Sequence, residues 1–571
     1  MRLLLILLAL LLPVAAQETL IREVADPLTD THIEVTALFT RPAPGGFLPL
    51  RVKIANNRKS SASIRLDCEI GANYGGGTTT SSSYDFSVEG EKISTQDIMV
   101  PLGPPSFNYG GMTNFTVKMR GSFGTAEHTI TSDLDPSQPA VLLSEALFTP
   151  NASTLDAAAA SKFTSSYRSS SEFAGKFDPK QLPDDWLAFS GYDWLLLTDR
   201  DWSATPPGSR NAILSWVRLG GRLVIYSSTA STLSSLGLPA EASYGEISIK
   251  SLPASLKMDE NATVELVSSG EPPRQVSLRG DYERGWPLQG AFGTQSFQYA
   301  VFIVVLVIFG ILVGPVNLFV FARADRRHRL FITTPLISLG ASLVLIALII
   351  FQDGFGGNGA RAVLMEVRPD EGQHAVFIHQ EQFARTGVLV RSKFTVDPAC
   401  SINPVPLDLT RWARYTASSN NRGTFNLQPE DGKLIATGDW FQSRSEHGHI
   451  LSAVLPSRGR IETAGAPDTC QSTFDFPLKT LFYQNNAGQW YRADNIRTGE
   501  KFQLSSVDYS LIKPLIEAES NGFAPRQKRM LLKGASRRGH FIAITDEAPG
   551  IDTNTGIHWK KTHTVITGPI Q

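Results

Sequence analysis

The sequence predicts a multidomain α+β protein with four parts: a β-sandwich, a doubly wound α/β domain, a two-helix transmembrane hairpin and a β-rich carboxyl-terminal domain. Two apolar runs, at 297–321 and 331–351, carry no Asp, Glu, Lys or Arg. Each run is long enough for a helix to cross the ~30 Å hydrocarbon layer. Strand and helix patterns alternate between 140 and 238, whereas β patterns prevail before and after. A chain of 571 residues is also too long to fold around a single hydrophobic core.

Residues 1–16 have the anatomy of a secretory signal peptide. Arg2 precedes an apolar core that ends near Leu12, and the small residues Ala15 and Ala16 follow. This pattern predicts export, with cleavage after Ala16. The alternative is an uncleaved anchor, for which the apolar core is short.

Residues 17–136 are predicted to form a β-sandwich of immunoglobulin-like type. Segments rich in apolar and β-branched residues, such as 32–39, 47–56 and 115–123, are separated by Gly, Pro and Asn breaks. The run GGGTTTSSS at 75–83 is interpreted as a flexible loop. It lacks the Gly-Lys-Ser/Thr ending that a phosphate-binding loop needs.

Residues 137–250 are predicted to form a parallel, doubly wound α/β domain. The segment YDWLLLTD contains an apolar strand, and ILSWVRLGGRLVIYS contains a helix that ends at two glycines, followed by a second strand. Such alternation is typical of a parallel sheet. Asp199 and Asp201 follow the first of these strands, at the carboxyl edge where α/β domains bind ligands. Both are therefore candidate ligand-site residues.

The motif YDWLLLTD…ILSWVRLGGRLVIYS resembles the class I glutamine amidotransferase-like fold. Enzymes of that family use a cysteine at a strand–helix elbow, supported by histidine and glutamate. The interval 137–255 contains neither Cys nor His, and a Ser or Thr nucleophile needs a base within reach. The resemblance therefore implies the fold, and we expect the domain to be catalytically inert.

Residues 251–296 are predicted to be a linker with strands that leads into the hairpin. Trp286 and Tyr299 lie close to the first apolar run. Since Trp and Tyr are enriched where a bilayer meets water, both are interpreted as interface anchors.

The hairpin is predicted to contain transmembrane helices at 297–321 and 331–351, joined by a cytoplasmic loop at 322–330. The loop carries one acidic residue, Asp325, and four arginines, which are Arg323, Arg326, Arg327 and Arg329. Arginines near helix ends are retained in the cytoplasm. Both large soluble regions are therefore expected on the extracytoplasmic side of a bacterial cytoplasmic (inner) membrane, in agreement with the signal peptide.

Small residues recur on both apolar runs. Gly310 and Gly314 form a G-x-x-x-G motif on the first, and Ser338 and Ser342 form a similar pair on the second. Small residues let helices approach closely. The motif indicates either packing of the two helices on each other or dimerisation through Gly310 and Gly314. Asn317 is expected to form hydrogen bonds there.

The segment GPVNLFVFARADRRHRLFITTPLISL at 314–339 carries a wider resemblance. It is similar to the Pro-Val-Asn helix, basic turn and second helix of a group of bacterial envelope membrane proteins. Those proteins place a sandwich and an amidotransferase-like domain before the hairpin and a β-rich domain after it. The resemblance covers nearly the full chain, and it implies this architecture without implying a reaction.

Residues 352–571 are predicted to form a β-rich extracytoplasmic domain with one helix at 509–519. His447 and His449 stand on either side of a glycine, next to Glu446. On a strand both imidazoles would share a face and could bind one metal ion. No third ligand is evident in the sequence, and a solvated turn is the alternative.

The chain has three cysteines, Cys68, Cys400 and Cys470. Cys400 and Cys470 lie in the same predicted domain, so an oxidising compartment permits a disulfide between them. Two buried free thiols are the alternative. Cys68 is expected in the core of a strand.

A basic segment lies near the carboxyl terminus. Its members are Arg526, Lys528, Arg529, Lys533, Arg537 and Arg538. They could contact anionic lipid head groups or an acidic envelope polymer, and a solvated face is the alternative.

The overall charge is nearly balanced, with 53 Lys and Arg against 54 Asp and Glu. This balance argues against nucleic-acid binding, and no cofactor is expected. The expected partners are the lipid bilayer and envelope proteins, and the expected function is that of a non-enzymatic membrane-anchored scaffold or binding protein. The alternative is a membrane-tethered hydrolase with an active site that no motif marks. Transport is disfavoured because both apolar runs lack charges.

Overall fold

A computed structural model describes residues 18–72, 78–104, 113–132, 137–163, 172–293, 299–322, 325–368, 375–388, 391–410, 412–416, 423–465 and 468–571. The predicted signal peptide at 1–16 and Arg323 lie outside these described residues. The described residues form several β-sheets, a smaller number of helices and two apolar helices. This architecture confirms the predicted multidomain class and is β-rich overall.

Two antiparallel four-stranded sheets form the amino-terminal unit. The strands are β1 (Glu18–Asp26), β2 (Thr31–Ala37), β3 (Phe47–Asn56), β4 (Ala62–Ala72), β5 (Thr79–Val88), β6 (Lys92–Pro101), β7 (Thr113–Gly121) and β8 (Gly124–Ser132). One sheet has the order β1-β2-β3-β6 and the other β5-β4-β7-β8. Val35 and Val52 of the first sheet share a hydrophobic core with Leu66 and Val117 of the second. The period-two pattern of the sequence predicts this arrangement.

The interpretation of the threonine–serine run as a loop is wrong for the part that the structure describes. Thr79 begins β5, in which Thr80 and Ser82 are buried while their neighbours are only half-buried. Small hydroxyl side chains and β-branched threonines are compatible with a strand when every second residue faces a core. The polar composition of this run suggests a loop, whereas its alternation of buried and half-buried residues is that of a strand.

A five-stranded parallel sheet follows. Its elements are β9 (Val141–Ser144), α1 (Glu145–Phe163), β10 (Gly175–Phe177), β11 (Trp194–Thr198), α2 (Asp199–Ala204), α3 (Pro207–Arg218), β12 (Arg222–Ser227) and β13 (Glu246–Ser251), with 3-10 turns at Pro179–Gln181, Trp186–Phe189 and Ser234–Leu236. The strand order is β10-β9-β11-β12-β13. Leu143 and Leu196 face α1, whereas Leu195 and Ile225 face α3 and the sandwich. The predicted parallel α/β sheet is confirmed.

The linker before the hairpin is helical, so the prediction of strands there is wrong. It contains α4 (Glu260–Ser268), α5 (Arg274–Glu283) and α6 (Pro287–Phe292). The side chain of Asp259 accepts a hydrogen bond from the backbone N–H of Ala262 and caps α4. Pro287 occupies the first turn of α6, where proline costs no hydrogen bond.

Among the described residues, two helices are long and apolar enough to cross a membrane, Tyr299–Phe321 and Arg327–Phe351. The first consists of α7 (Tyr299–Ile311) and a π-helical continuation, Leu312–Phe321. The second is α8 (Leu330–Asp353), preceded by a 3-10 turn at Arg327–Arg329.

A nine-stranded sheet organises the carboxyl-terminal part, with two three-stranded sheets beside it. Its elements are β14 (Gly357–Arg368), β15 (Ala375–Thr386), β16 (Phe394–Val396), β17 (Cys400–Val405), β18 (Phe425–Glu430), β19 (Lys433–Gly438), β20 (Glu446–Pro456), β21 (Ile461–Thr463), β22 (Thr469–Ser472), β23 (Leu478–Gln484), β24 (Trp490–Ile496), β25 (Lys501–Gln503), β26 (Ser505–Val507), α9 (Tyr509–Ser520), α10 (Pro525–Ala535), β27 (His540–Thr545) and β28 (Ile557–Pro569). The order of the large sheet is β17-β20-β15-β14-β28-β27-β23-β24-β26. The predicted helix is confirmed as α9.

The parts before and after the hairpin pack on each other. The backbone N–H of Ser83 in β5 donates to Gln428 Oε1 in β18 at 3.0 Å. Asn403 Nδ2 in β17 donates to the carbonyl of Gly45 at 3.0 Å. Chain segments more than 300 residues apart are thus joined by direct hydrogen bonds.

Both ends of the hairpin meet the soluble part at one end of the nine-stranded sheet. Arg385 Nη2 donates to the carbonyl of Gly293 at 2.7 Å, shortly before α7. The backbone N–H of Val388 donates to the carbonyl of Gly354 at 2.9 Å, directly after α8. Both acceptors therefore lie against the end of β15.

Candidate functional site

The two candidate aspartates lie in the first turn of α2, at the carboxyl edge of the parallel sheet. Asp201 Oδ2 accepts from Ser144 Oγ at 2.6 Å and from the N–H of Thr198 at 3.1 Å, which completes a capping box. Asp199 Oδ2 accepts from Ser227 Oγ at 2.6 Å. These hydrogen bonds join the carboxyl ends of β9, β11 and β12, so both carboxylates have a structural role.

The bond between Ser144 and Asp201 spans the position where the strand order reverses, between β9 and β11. Open α/β sheets bind ligands at this position. A ligand role for Asp199 and Asp201 stays a prediction.

The two candidate metal-binding histidines are buried on β20, so the interpretation as a solvated turn is wrong. Their rings are nearly parallel, with centroids 6.3 Å apart. His447 Nε2 accepts from the N–H of Gln442 at 2.9 Å, and His449 Nε2 lies 3.0 Å from the carbonyl of Trp440. Burial lowers the pKa of His447 to about 4 and that of His449 to about 3, so both are neutral. Within the described residues, no group of three His, Cys, Asp or Glu side chains could hold a metal ion.

Cys68, Cys400 and Cys470 are all free thiols, and all are buried. Cys400 belongs to the nine-stranded sheet, whereas Cys470 belongs to a separate three-stranded sheet. The disulfide alternative is therefore wrong in this structure. Burial raises the pKa of Cys68 to about 12 and that of Cys470 to about 11, which keeps both thiols protonated.

A buried glutamate, which was not predicted from the sequence, joins the linker to the carboxyl-terminal sheet. Glu381 lies on β15 with no exposed surface. Its Oε2 accepts from Trp286 Nε1 at 2.8 Å, and its Oε1 accepts from the N–H of Ala524 at 2.9 Å, at the start of α10. The Trp286 ring also packs edge-on against Tyr282 and Phe383.

Trp286 is 1% exposed, so its prediction as an interface anchor is wrong. A buried indole N–H needs an acceptor, and Glu381 supplies one. The sequence signal for this contact is the polar run at 379–382, which interrupts an otherwise apolar strand. Tyr299, at the start of α7, is half exposed.

Burial raises the pKa of Glu381 from 4.5 to about 8. Hydrogen bonds from Trp286 and Ala524 oppose this shift, and the carboxylate of Asp281 adds to it. Because the folded pKa lies above the unfolded one, the stabilising contribution of Glu381 is complete below pH 4.5 and is lost as the pH rises to about 8.

We expect Glu381→Gln to remove this part of the pH dependence, because an amide does not ionise. As the pH rises from 4.5 to 8, the thermal midpoint of the wild type should fall relative to that of the variant. The measurement is thermal unfolding of the purified full-length protein in detergent. Glu265→Gln, at an exposed ion pair, serves as control and should leave the pH profile unchanged. Parallel profiles for wild type and Glu381→Gln would contradict the assignment.

The basic segment on and after α10 docks onto other parts of the protein. Arg537 forms a two-pronged ion pair with Glu366, through Nη1 at 2.7 Å and Nη2 at 3.2 Å. Lys533 Nζ donates to the carbonyl of Gly245 in the α/β domain at 2.6 Å. Arg538 is exposed. The interpretation as a solvated or lipid-binding face is therefore wrong for Arg537, whereas Lys533 is exposed and is compatible with a solvated position.

An open cleft of about 390 Å³ lies at the end of the nine-stranded sheet opposite to the hairpin. Met365, Ile378 and Phe474 contribute apolar lining, and all three are buried. Arg458 and Asp475 are exposed at its rim. An apolar pocket of roughly 300–1,000 Å³ with a few polar groups is typical of a small-ligand or peptide site. This cleft was not predictable from the sequence, because its lining comes from strands that are distant in the chain.

The hairpin helices are joined by a polar contact. Asn317 is fully buried; its Nδ2 donates to Thr334 Oγ1 at 2.9 Å, and its Oδ1 accepts from Thr333 Oγ1 at 2.6 Å. A Cβ at Gly310 or Gly314 would meet no atom within 4 Å. The prediction that the two helices pack through these glycines is therefore wrong, whereas the predicted hydrogen bonding by Asn317 is confirmed. Dimerisation stays a prediction.

We expect Asn317→Leu to lower the thermal midpoint of the full-length protein in detergent, since both interhelical hydrogen bonds are lost. The free-energy cost should be about 1 kcal/mol, the usual size for such a contact in a bilayer. Gly310→Ala, whose Cβ enters open space, is the matched control and should be nearly neutral. A larger loss for Gly310→Ala than for Asn317→Leu would contradict the observed packing.

Comparison with protein-family models finds no match, and comparison with curated proteins finds none either. Among solved structures, a cycloisomaltooligosaccharide glucanotransferase of Paenibacillus sp. is 11% identical over 37% of this chain and 27% of its own, with a TM-score of 0.17. A calcium-binding mutant of Bacteroides uniformis beta-glucuronidase 2 is 9% identical over 35% of this chain and 24% of its own, with a TM-score of 0.14. The chain thus spans about a quarter of these structures' length. TM-scores this low carry no argument about fold or activity.

Proposed function

We propose that this chain is a non-enzymatic envelope protein, anchored in the bacterial cytoplasmic membrane by the hairpin. Its soluble parts form one body on the extracytoplasmic side and bind an envelope partner. The observation that carries the proposal is the direct packing of the parts before and after the hairpin. Two segments that share hydrogen bonds occupy one side of any membrane that the connecting helices cross.

The surface of the hairpin supports a membrane location. Phe319 and Ile332 are 70% and 68% exposed, on helices that carry many exposed apolar side chains. Such a surface is unfavourable in water and suits a bilayer. Arg326, Arg327 and Arg329 lie at the turn, the end far from the soluble body, which favours a cytoplasmic turn.

The parallel sheet supports an amidotransferase-like domain that serves as a structural module. Its strand order and its helices on both faces agree with the resemblance. Asp199 and Asp201 each accept hydrogen bonds within the domain, and the second face of the sheet is covered by the sandwich. This arrangement favours a rigid spacer over a catalytic unit.

The cleft at the far end of the sheet is the binding site that we propose for the partner. A photo-reactive residue at Phe476, on the cleft lining, should cross-link an envelope component in intact cells. The same residue at exposed Lys479, outside the cleft lining, is the control and should give far less product. Asp475→Lys should reduce the Phe476 product, because it reverses a rim charge. Equal products at both positions, or none at Phe476, would contradict this site.

A further inference from the structure

Two large apolar side chains are exposed at the end of the nine-stranded sheet from which the hairpin departs. Leu409 is 82% exposed and Phe355 is 69% exposed. Phe355 lies two residues after the end of α8, whereas Leu409 belongs to a loop after β17.

Strand pairing places Leu409 near the hairpin as well. β17 ends with Val405 paired to Gly448 in β20. The chain then continues past this pair toward the beginning of β20, and Thr410 Oγ1 donates to Glu446 Oε2 at 2.9 Å. Leu409 therefore lies beyond the end of the sheet, on the side where β20 begins.

The chain leaves the hairpin at this same end of the sheet. The N–H of Arg444 donates to the carbonyl of Gly387 at 2.9 Å, and the N–H of Gly387 donates to the carbonyl of Gly356 at 2.7 Å. Gly356 adjoins Phe355. Three strand spacings, or roughly 14 Å, separate the loop of Leu409 from β14. Leu409 and Phe355 thus lie at one end of the sheet.

Exposed basic residues occupy this end as well. The carbonyl of Arg391 accepts from Asn554 Nδ2 at 2.9 Å, next to the start of β28. Arg414 Nε donates to Ser445 Oγ at 3.1 Å, next to the start of β20. Both arginines are exposed.

We propose that this end of the sheet rests on the outer leaflet of an anionic bilayer, with Leu409 and Phe355 inserted among the acyl chains. Arg391 and Arg414 lie against lipid phosphates, because guanidinium groups pair with phosphate while apolar neighbours enter the hydrocarbon. The inference rests on the proposed function, in which the hairpin spans the same bilayer. It adds a second membrane contact, which fixes the tilt of the soluble body.

The test uses full-length protein in vesicles of phosphatidylethanolamine and phosphatidylglycerol. The native thiols are buried, so a single introduced cysteine takes an environment-sensitive fluorophore in the folded protein. The variants are Leu409→Cys, Phe319→Cys in the first apolar helix, and Leu28→Cys, a 98% exposed leucine in the turn between β1 and β2. Lipids with a spin label on the acyl chain serve as the quencher.

We expect the probes at positions 409 and 319 to lose most of their fluorescence, and the probe at position 28 to lose little. Quenching at 319 without quenching at 409 would overturn this inference and leave the anchored hairpin intact. No quenching at 319 would overturn the proposed function itself. A loss of quenching at 409 in the Arg391→Gln, Arg414→Gln background would support the phosphate contacts, and unchanged quenching would contradict them.

Discussion

Arg537→Ala is expected to lower the free energy of unfolding by about 3–5 kcal/mol, the usual result of removing one partner from a buried ion pair. Glu366 has no exposed surface and receives two hydrogen bonds from Arg537. The remaining cation, Arg368, lies 3.5 Å away through one nitrogen. The variant would therefore leave a poorly compensated carboxylate inside the protein. Thermal unfolding of the full-length protein in detergent measures the loss.

Arg538→Ala is the matched control, since it removes the same charge from an exposed neighbour. We expect it to stay within about 0.5 kcal/mol of the wild type, as is usual for surface positions. The double variant Glu366→Leu, Arg537→Met should recover much of the loss, because it removes both charges. Equal midpoints for Arg537→Ala and Arg538→Ala would contradict a stabilising role for the buried pair.

Trp286→Ala is expected to cost about 3–5 kcal/mol, the range for truncating a large buried aromatic residue. The ring is almost fully buried between Tyr282 and Phe383, and its N–H is a donor to Glu381. The variant would open a cavity and remove this donor. Since Trp286 attaches the linker to β15, we also expect faster proteolysis of the linker. Limited proteolysis and thermal unfolding measure the two effects.

Trp286→Phe separates the two contributions, because it keeps most of the volume and removes only the N–H. We expect a loss of about 1–3 kcal/mol, from the unpaired buried acceptor. Above pH 8, where Glu381 is ionised, this loss should shrink in the Glu381→Gln background, since a neutral amide oxygen needs the donor less than a carboxylate does. Additive losses in the double variant would show that the two side chains act independently, against the observed hydrogen bond.

Local pattern was sufficient for the elements whose signal is continuous along the chain. The apolar runs, the strand–helix–strand alternation around Asp199, and α9 were predictable because each buries a periodic face. The linker was mistaken for strands because its helices are short, and its start signals at Asp259 and Pro287 are single residues.

The contacts that join the parts were not predictable, because they depend on residues distant in sequence. Trp286 has the composition of a bilayer anchor, and only the position of β15 shows that Glu381 accepts its N–H. His447 and His449 share a strand face as their spacing allows, yet burial on β20 makes both neutral. His447 accepts from the N–H of Gln442, and His449 donates to the carbonyl of Trp440. The charge of Arg537 likewise did not identify Glu366 as its partner.

We propose that the two flanks of the hairpin form one body on one side of a membrane. Ser81 Oγ of β5 lies 2.8 Å from Asn426 Oδ1 of β18, so cysteines at both positions are within reach of a short cross-linker. We predict that a membrane-impermeant reagent forms this intramolecular link in intact cells whose outer layers are permeable. Under the same conditions, Arg326→Cys should react only after the cytoplasmic membrane is opened. Absence of the link, or ready labelling of position 326 from the same side, would contradict the account.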